Sequence, residues 1–249
     1  MLPSLANLGC DTQTPKRKRS ERRTPILVDG EWVHHYRHAP LDDASIRRAV
    51  HVLFRSARDV ARYATVIEEY GPVFEWDVSV VADFSSLFEY VASFNSDLSG
   101  WDVGKAKRMN FMFGGATSFN SDLSAWNVGN VESMAGMFGG AESFTSDLSR
   151  WDVGNVSNMG MMFRGATSFT SDLSTWNVGN VETMDYMFDG ATSFTSDLST
   201  WNVGNVDTRG DMFDGATSFT SDLSTWNVGN GARTRRVGHG AQRGERAGA

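Results

Sequence analysis

One cysteine, Cys10, stands in 249 residues, which excludes an intramolecular disulfide framework and a cysteine-based metal cluster. No apolar run approaches the roughly 18 residues that cross a bilayer, so the chain reads as soluble, with no transmembrane segment. Its first residues, MLPSLANLGC, lack the basic and fully apolar regions of a secretion signal, and Asn7 stands where a lipoprotein signal wants an aliphatic side chain. Histidine is scarce too. All five lie outside the repeat described below, and serine recurs only because the repeat recurs, so no catalytic constellation is visible and no enzyme is expected.

What the chain does have is apolar and aromatic content, 40% and 12%, enough to build a core. Its net charge of −7 hides a split. Residues 1–25 and 231–249 each carry +4, which leaves residues 26–230 at about −15, an acidic body between basic ends.

Tryptophan returns at Trp76, Trp101, Trp126, Trp151, Trp176, Trp201 and Trp226, always 25 residues apart, the mark of a structural repeat. One period holds Leu173, Trp176, Val178, Val181, Met184, Met187, Phe188, Gly190, Ala191 and Phe194, and the segment GATSFTSDLSTWNVGN occurs unchanged from Gly165, Gly190 and Gly215. Trp176 and Val178 alternate as in a strand, whereas Val181, Met184 and Met187/Phe188 have the spacing of a short helical turn. Gly190 follows where a left-handed cap is expected. The pattern predicts an α/β repeat solenoid of leucine-rich-repeat-like architecture, with one short parallel strand and one short helical turn per 25-residue coil. Seven Trp-centred coils occupy residues 73–230, the last one incomplete. One such unit cannot bury its own apolar side, but copies stacked at about 4.8 Å can, with the tryptophans inside.

The order of apolar positions, LxxWxVxxVxxMxxMFxGAxxF, and the run Val131, Met134, Met137–Phe138, Gly140–Ala141 and Phe144 resemble the BspA-like leucine-rich repeat over about residues 70–230. The resemblance implies short parallel strands alternating with brief helical turns. It also implies an adhesion or interaction protein of the cell surface or of secretion, in bacteria or microbial eukaryotes, although no signal peptide is visible here.

Both flanks carry their own expectations. Residues 26–72 read as an N-terminal cap, with a helix over about 43–69 that lines Ile46, Val50, Leu53/Phe54, Val60, Tyr63/Ala64 and Ile67 along one face. Asp42 or Asp43 caps its start and Gly71–Pro72 stops it. Before it, ILVDGEWVHHYRH suggests a small hairpin or an extension of the cap, and His34, His35 and His38 lack partners at metal-ligand spacing. Residues 1–25 read as a disordered arm whose PKRKRSERR run, residues 15–23, resembles a nuclear-targeting or polyanion-binding patch. Residues 231–249 read as a disordered Arg/Gly-rich tail, either covered by a partner or a gene-end artefact, which leaves the last coil open for end-to-end self-association. Arg209 breaks the methionine column of Met134, Met159 and Met184 and is expected to fray its coil or swing out to Asp207 or Asp211.

The functional expectation is a non-enzymatic interaction or adhesion module for a protein or glycan ligand, without a cofactor. The alternative is an intracellular or nuclear scaffold directed by the basic arm. Specific nucleic-acid binding is not expected of so acidic a body. With tryptophan inward, the outward neighbours form the predicted binding face: Asp102, Asn127, Arg150, Asp152, Asn177, Asn202 and Asn227. Repeat-to-repeat variation concentrates instead in the turns, at Asn110–Phe111, Ala135–Gly136, Gly160–Met161 and Asp185–Tyr186, beside acidic Glu182, Asp185, Asp189, Asp207, Asp211 and Asp214. The column Asp97, Asp122, Asp147, Asp172, Asp197 and Asp222 reads as carboxylates bonded to turn amides, with a calcium ladder as the competing reading.

Overall fold

The computed structural model describes residues 26–28, 31–33, 40–55 and 60–227, in two compact units divided after His38. In the first, β1 (Ile26–Val28) and β2 (Glu31–Val33) pair antiparallel with Leu27 opposite Trp32. Cys10, the basic run 15–23, His34, His35, His38 and the tail from residue 228 lie outside the described residues.

The second unit begins with α1 (Asp43–Val50). Of the two candidate caps, Asp42 takes the role: its carboxylate accepts from the Ala44 and Ser45 N–H groups, and the Ser45 hydroxyl closes a capping box. A π turn over His51–Arg55 follows, then α2 (Val60–Tyr70), ended by Gly71 at φ 72°, whose N–H reaches the Ile67 carbonyl at 2.9 Å. The single continuous face expected over 43–69 therefore does not hold. A π turn carries an extra residue, which shifts the phase of everything after it. Val66 is buried in α2, while Tyr63 is 49% exposed.

The repeats that follow contain no named helix or strand among residues 76–227. Each 25-residue unit is a chain of i→i+3 turns that begin and end on buried residues. In one unit these bonds run from Trp176 N–H to Leu173, Val181 to Val178, Met187 to Met184, Ala191 to Phe188 and Phe194 to Ala191, all at 3.0–3.2 Å. Spacing by three thus mimics a helix without making one. The backbone turns left-handed at Tyr186 (φ 57°) and Gly190 (φ 70°), which stops propagation, and alternate N–H groups, those of Met184, Tyr186, Phe188 and Gly190, leave for the next unit. Phe84, Ser86, Phe88 and Tyr90 donate to the carbonyls of Arg108, Asn110, Met112 and Gly114 at 2.6–2.9 Å. Parallel bridges connect Asp83, Arg108, Ser133, Asn158, Thr183 and Thr208 in sequence. The pairing expected along Trp176–Val178 therefore sits seven residues later, beside the turns.

Ring spacing accompanies that displacement. Successive indoles stack almost parallel, within 4° from Trp101 to Trp151, with centroids 6.5 Å apart. Among the described residues no backbone–backbone bond joins the Trp–Val segments of neighbouring units, as a strand ladder would. Phe113, Phe138, Phe163 and Phe188 stack at 5.6–5.7 Å, so neighbouring units fan out from the turn side towards the tryptophan side. Between the sides lies one continuous core of Trp, Leu, Val, Met, Ala and Phe columns.

α1 and the π turn close the first unit. Ile46, Ala49 and Val50 join its core, and Phe54 sets its ring edge-on to Phe88 and Phe94 at 5.8 and 5.3 Å. Polar side chains then replace the missing neighbour. Arg47 donates to the Asp83 and Ser85 carbonyls and Arg55 to that of Glu89, where interior units receive backbone N–H groups from the preceding unit; Arg55 also donates to the Ser86 carbonyl. The Asp43 carboxylate accepts from the Ala82 and Asp83 N–H groups at 2.8 and 3.1 Å, as the Ser157 carbonyl accepts from Glu182 and Thr183. At the far end Arg209 neither frays its unit nor swings out. It stays 6% exposed in the methionine column, donates to the Val206 carbonyl at 3.1 Å and leaves Nη2 buried without a partner. Ladder bonds to the Thr208 and Gly210 carbonyls hold the backbone on either side of it, so the side chain starts inside.

Candidate interaction surface

The two sides of the array meet their hydrogen-bonding needs differently. On the wide tryptophan side, side chains bridge the gap between units. The Trp126, Trp151 and Trp176 indole N–H groups donate to carbonyls of Leu98, Leu123 and Leu148 in the preceding unit. Asn130, Asn155, Asn180 and Asn205 amides reach the preceding glycine carbonyls at 2.6–2.8 Å.

Asp97, Asp122, Asp147, Asp172, Asp197 and Asp222 each accept from the backbone N–H two residues on, at 2.9 Å. Asp122, Asp147, Asp172 and Asp197 also accept from a serine hydroxyl of the next unit. These hydrogen bonds, led by the backbone donor, hold all six carboxyls below the ordinary aspartate range. Among the described residues no group of three or more His, Cys, Asp or Glu could hold a metal ion.

The predicted binding face lies on this side. Asp102, Asn127, Arg150, Asp152, Asn177, Asn202 and Asn227 are all exposed. Five of them serve their own bend, since Asp102, Asn127, Asp152, Asn177 and Asn202 accept from the N–H of the glycine two residues on at 3.0–3.3 Å. This face is polar, regular and already bonded.

The turn side is the opposite. Backbone pairs with backbone there, so the ladder asks little of the side chains, and several turn positions vary from unit to unit, among them the column Ser86, Phe111, Gly136, Met161, Tyr186 and Asp211. All six are left-handed, with φ between 50° and 62°. For the five that are not glycine this conformation costs roughly 1–2 kcal/mol each. Four residues further on, the left-handed site is glycine in five units, but Tyr90 (φ 58°) in the first. Tyr90 is 80% exposed and lays its ring over Gly115; the Phe111 ring lies over Gly136 in the space a Cβ would occupy.

Together these residues shape a groove of about 500 Å³ that crosses five units. Its floor is Gly114, Gly115, Gly136, Gly139, Gly140, Gly165 and Gly190, with Tyr90, Phe111 and Met161 standing above it. One end carries Glu89. At the other, Arg164 pairs with Asp189 at 2.8 Å and lies 5.8 Å from the Tyr186 ring centroid. Sequence reasoning located the variation at Phe111, Met161 and Tyr186 but not Tyr90, whose signal is a tyrosine in a column otherwise made of glycine.

The described residues contain no helix long and apolar enough to cross a membrane. A family model described as Mycoplasma protein of unknown function, DUF285, matches residues 59–172 and 144–246. The chain belongs to the DUF285 family. Both DUF285 matches run through the repeats, so family membership attaches to the array and its groove, not to the hairpin. No curated protein and no solved structure matches the chain.

Proposed function

We propose that this DUF285 protein is a leucine-rich-repeat-like solenoid related to the BspA-like repeats. Its role in this reading is that of a non-enzymatic interaction or adhesion module that engages a partner through the turn side. The observation that carries the reading is a left-handed position that changes from unit to unit and, in five of six units, carries a side chain, among turn positions that vary while the core columns repeat. Strained non-glycine residues persist where surrounding structure compensates them, and they cluster at ligand clamps. Tyr90, Phe111 and Tyr186 also provide the aromatic anchors that dominate binding interfaces and that the tryptophan side lacks. The polar side chains that recur in every unit are occupied in bends and bridges, which leaves them a structural role rather than a catalytic one.

Selection of a displayed random-peptide library on the purified chain tests this. Selected clones should lose binding to a Tyr90→Gly/Phe111→Gly variant and keep it to an Asn177→Ala/Asn202→Ala variant. The reverse pattern would move the contact surface to the tryptophan side. A selection that enriches nothing would remove the interaction reading.

A further inference from the structure

The geometry points to a proline-rich extended segment with basic flanks as the occupant of the turn-side groove, a deepening that rests on the interaction reading above. Three features of the groove choose this chemistry. The first is the floor. Each of its seven glycine N–H groups is already donated: Gly114 to Phe111, Gly115 to Gly139, Gly136 to Gly160, Gly139 to Gly136, Gly140 to Arg164, Gly165 to Asp189 and Gly190 to Asp214. No donor remains there for the carbonyls of a partner strand, so strand addition is not available. A polyproline II segment needs none, because its carbonyls stay solvated and its prolines have no N–H to strand.

The second is the rings. Tyr90 and Phe111 stand on consecutive units at one end, and Met161 rises two units beyond Phe111, with Tyr186 one unit further on. Five units at about 4.8 Å give a slot roughly 19 Å long, matched by about six residues at 3.1 Å each. The third is charge. Glu89 lies at one end. At the other, Arg164 is neutralised by Asp189, and Asp211 and Asp214 follow in the next unit, so acidic charge is concentrated at that end, whereas Arg55 donates to the Glu89 carbonyl at the first. Basic residues outside the proline stretch complement the acidic end.

The test uses the full chain and a fluorescein-labelled peptide of eight prolines with two arginines at each end, read by fluorescence anisotropy. Saturable binding is expected. It should weaken at least tenfold in Tyr90→Gly and in Phe111→Gly, and stay within twofold in Asn202→Ala. Glycine stands at the Tyr90 position in five other units and at the Phe111 position in one, Gly136, so both variants are compatible with the fold, and an unchanged tryptophan emission spectrum checks that they keep it. A peptide with glycine and serine replacing proline should bind at least tenfold more weakly, as should one with glutamates at its ends. Equal binding of either control overturns the proposal, as does indifference to both glycine variants. Binding of a linear glucose or N-acetylglucosamine oligomer, lost on Tyr90→Gly while the proline peptide stays unbound, would assign the groove to a glycan instead. Groove-dependent library clones without proline would leave the interaction reading standing and sink this one.

Discussion

The tryptophan side and the turn side of the same array join their units through different groups, and that difference decides where sequence is constrained. At the indole column, where ring centroids lie 6.5 Å apart, no backbone bond among the described residues joins the Trp–Val segments of neighbouring units, so the link falls to Trp, Asn, Ser and Thr side chains. Trp recurs in every unit and the bridging Asn from Asn130 on, while Thr175, Thr200 and Thr225 stand where earlier units carry Gly100, Ala125 and Arg150. At the turns the backbone pairs directly, and side chains there are released for other uses. Uniformity in a repeat therefore marks where side chains do the connecting, and variation marks where they need not.

The largest expected break of this contrast is Trp151→Ala. It removes a buried ring from the stack and an indole bond to the Leu123 carbonyl, and should cost about 3–5 kcal/mol in denaturant unfolding. Next is Arg209→Met, which restores the column and removes an unpartnered buried nitrogen; the chain should gain about 1–3 kcal/mol. Asn180→Ala, which deletes one bridge to the Gly154 carbonyl, should cost about 1 kcal/mol. Acid gives a smaller and distributed effect. The aspartate column ionises more readily folded than unfolded, so its contribution is complete above the unfolded value of about 3.9 and disappears as pH falls through the folded values. Tm followed from pH 6 to pH 2 should drop, and Asp147→Asn should flatten that drop. Smallest of all, Tyr186→Gly trades relief of left-handed strain against glycine's entropy and a cation–π contact, and should shift stability by under about 0.5 kcal/mol. A loss there comparable to that of Trp151→Ala would erase the distinction between the two sides.

Much of this was legible beforehand, and the reasons can be given by residue. The tryptophan, leucine, valine, methionine and phenylalanine columns follow from a strict 25-residue period, because only a fixed stack buries the same position every time. Asp42 as a cap and Gly71 as a stop follow from local backbone chemistry. Val181, Met184 and Met187 misled, since buried i, i+3 spacing is shared by a helix and by successive turns, and only the direction of the intervening N–H groups separates them. Trp176 and Val178 misled because inward alternation requires extended backbone but not a partner within bonding distance. The roles of Asp43, Arg47 and Arg55 were hidden in an ordinary amphipathic helix, because the carbonyls and N–H groups they satisfy lie some 30 to 40 residues further along the chain.

By itself the sequence determined what is buried, how often it recurs and where the repeat stops looking like itself, since periodicity alone carries that information. Tertiary structure decided which edge pairs, which turns run left-handed and which face forms a groove. Those depend on the distance between one unit and the next, a quantity set by stacked rings and ladder bonds together.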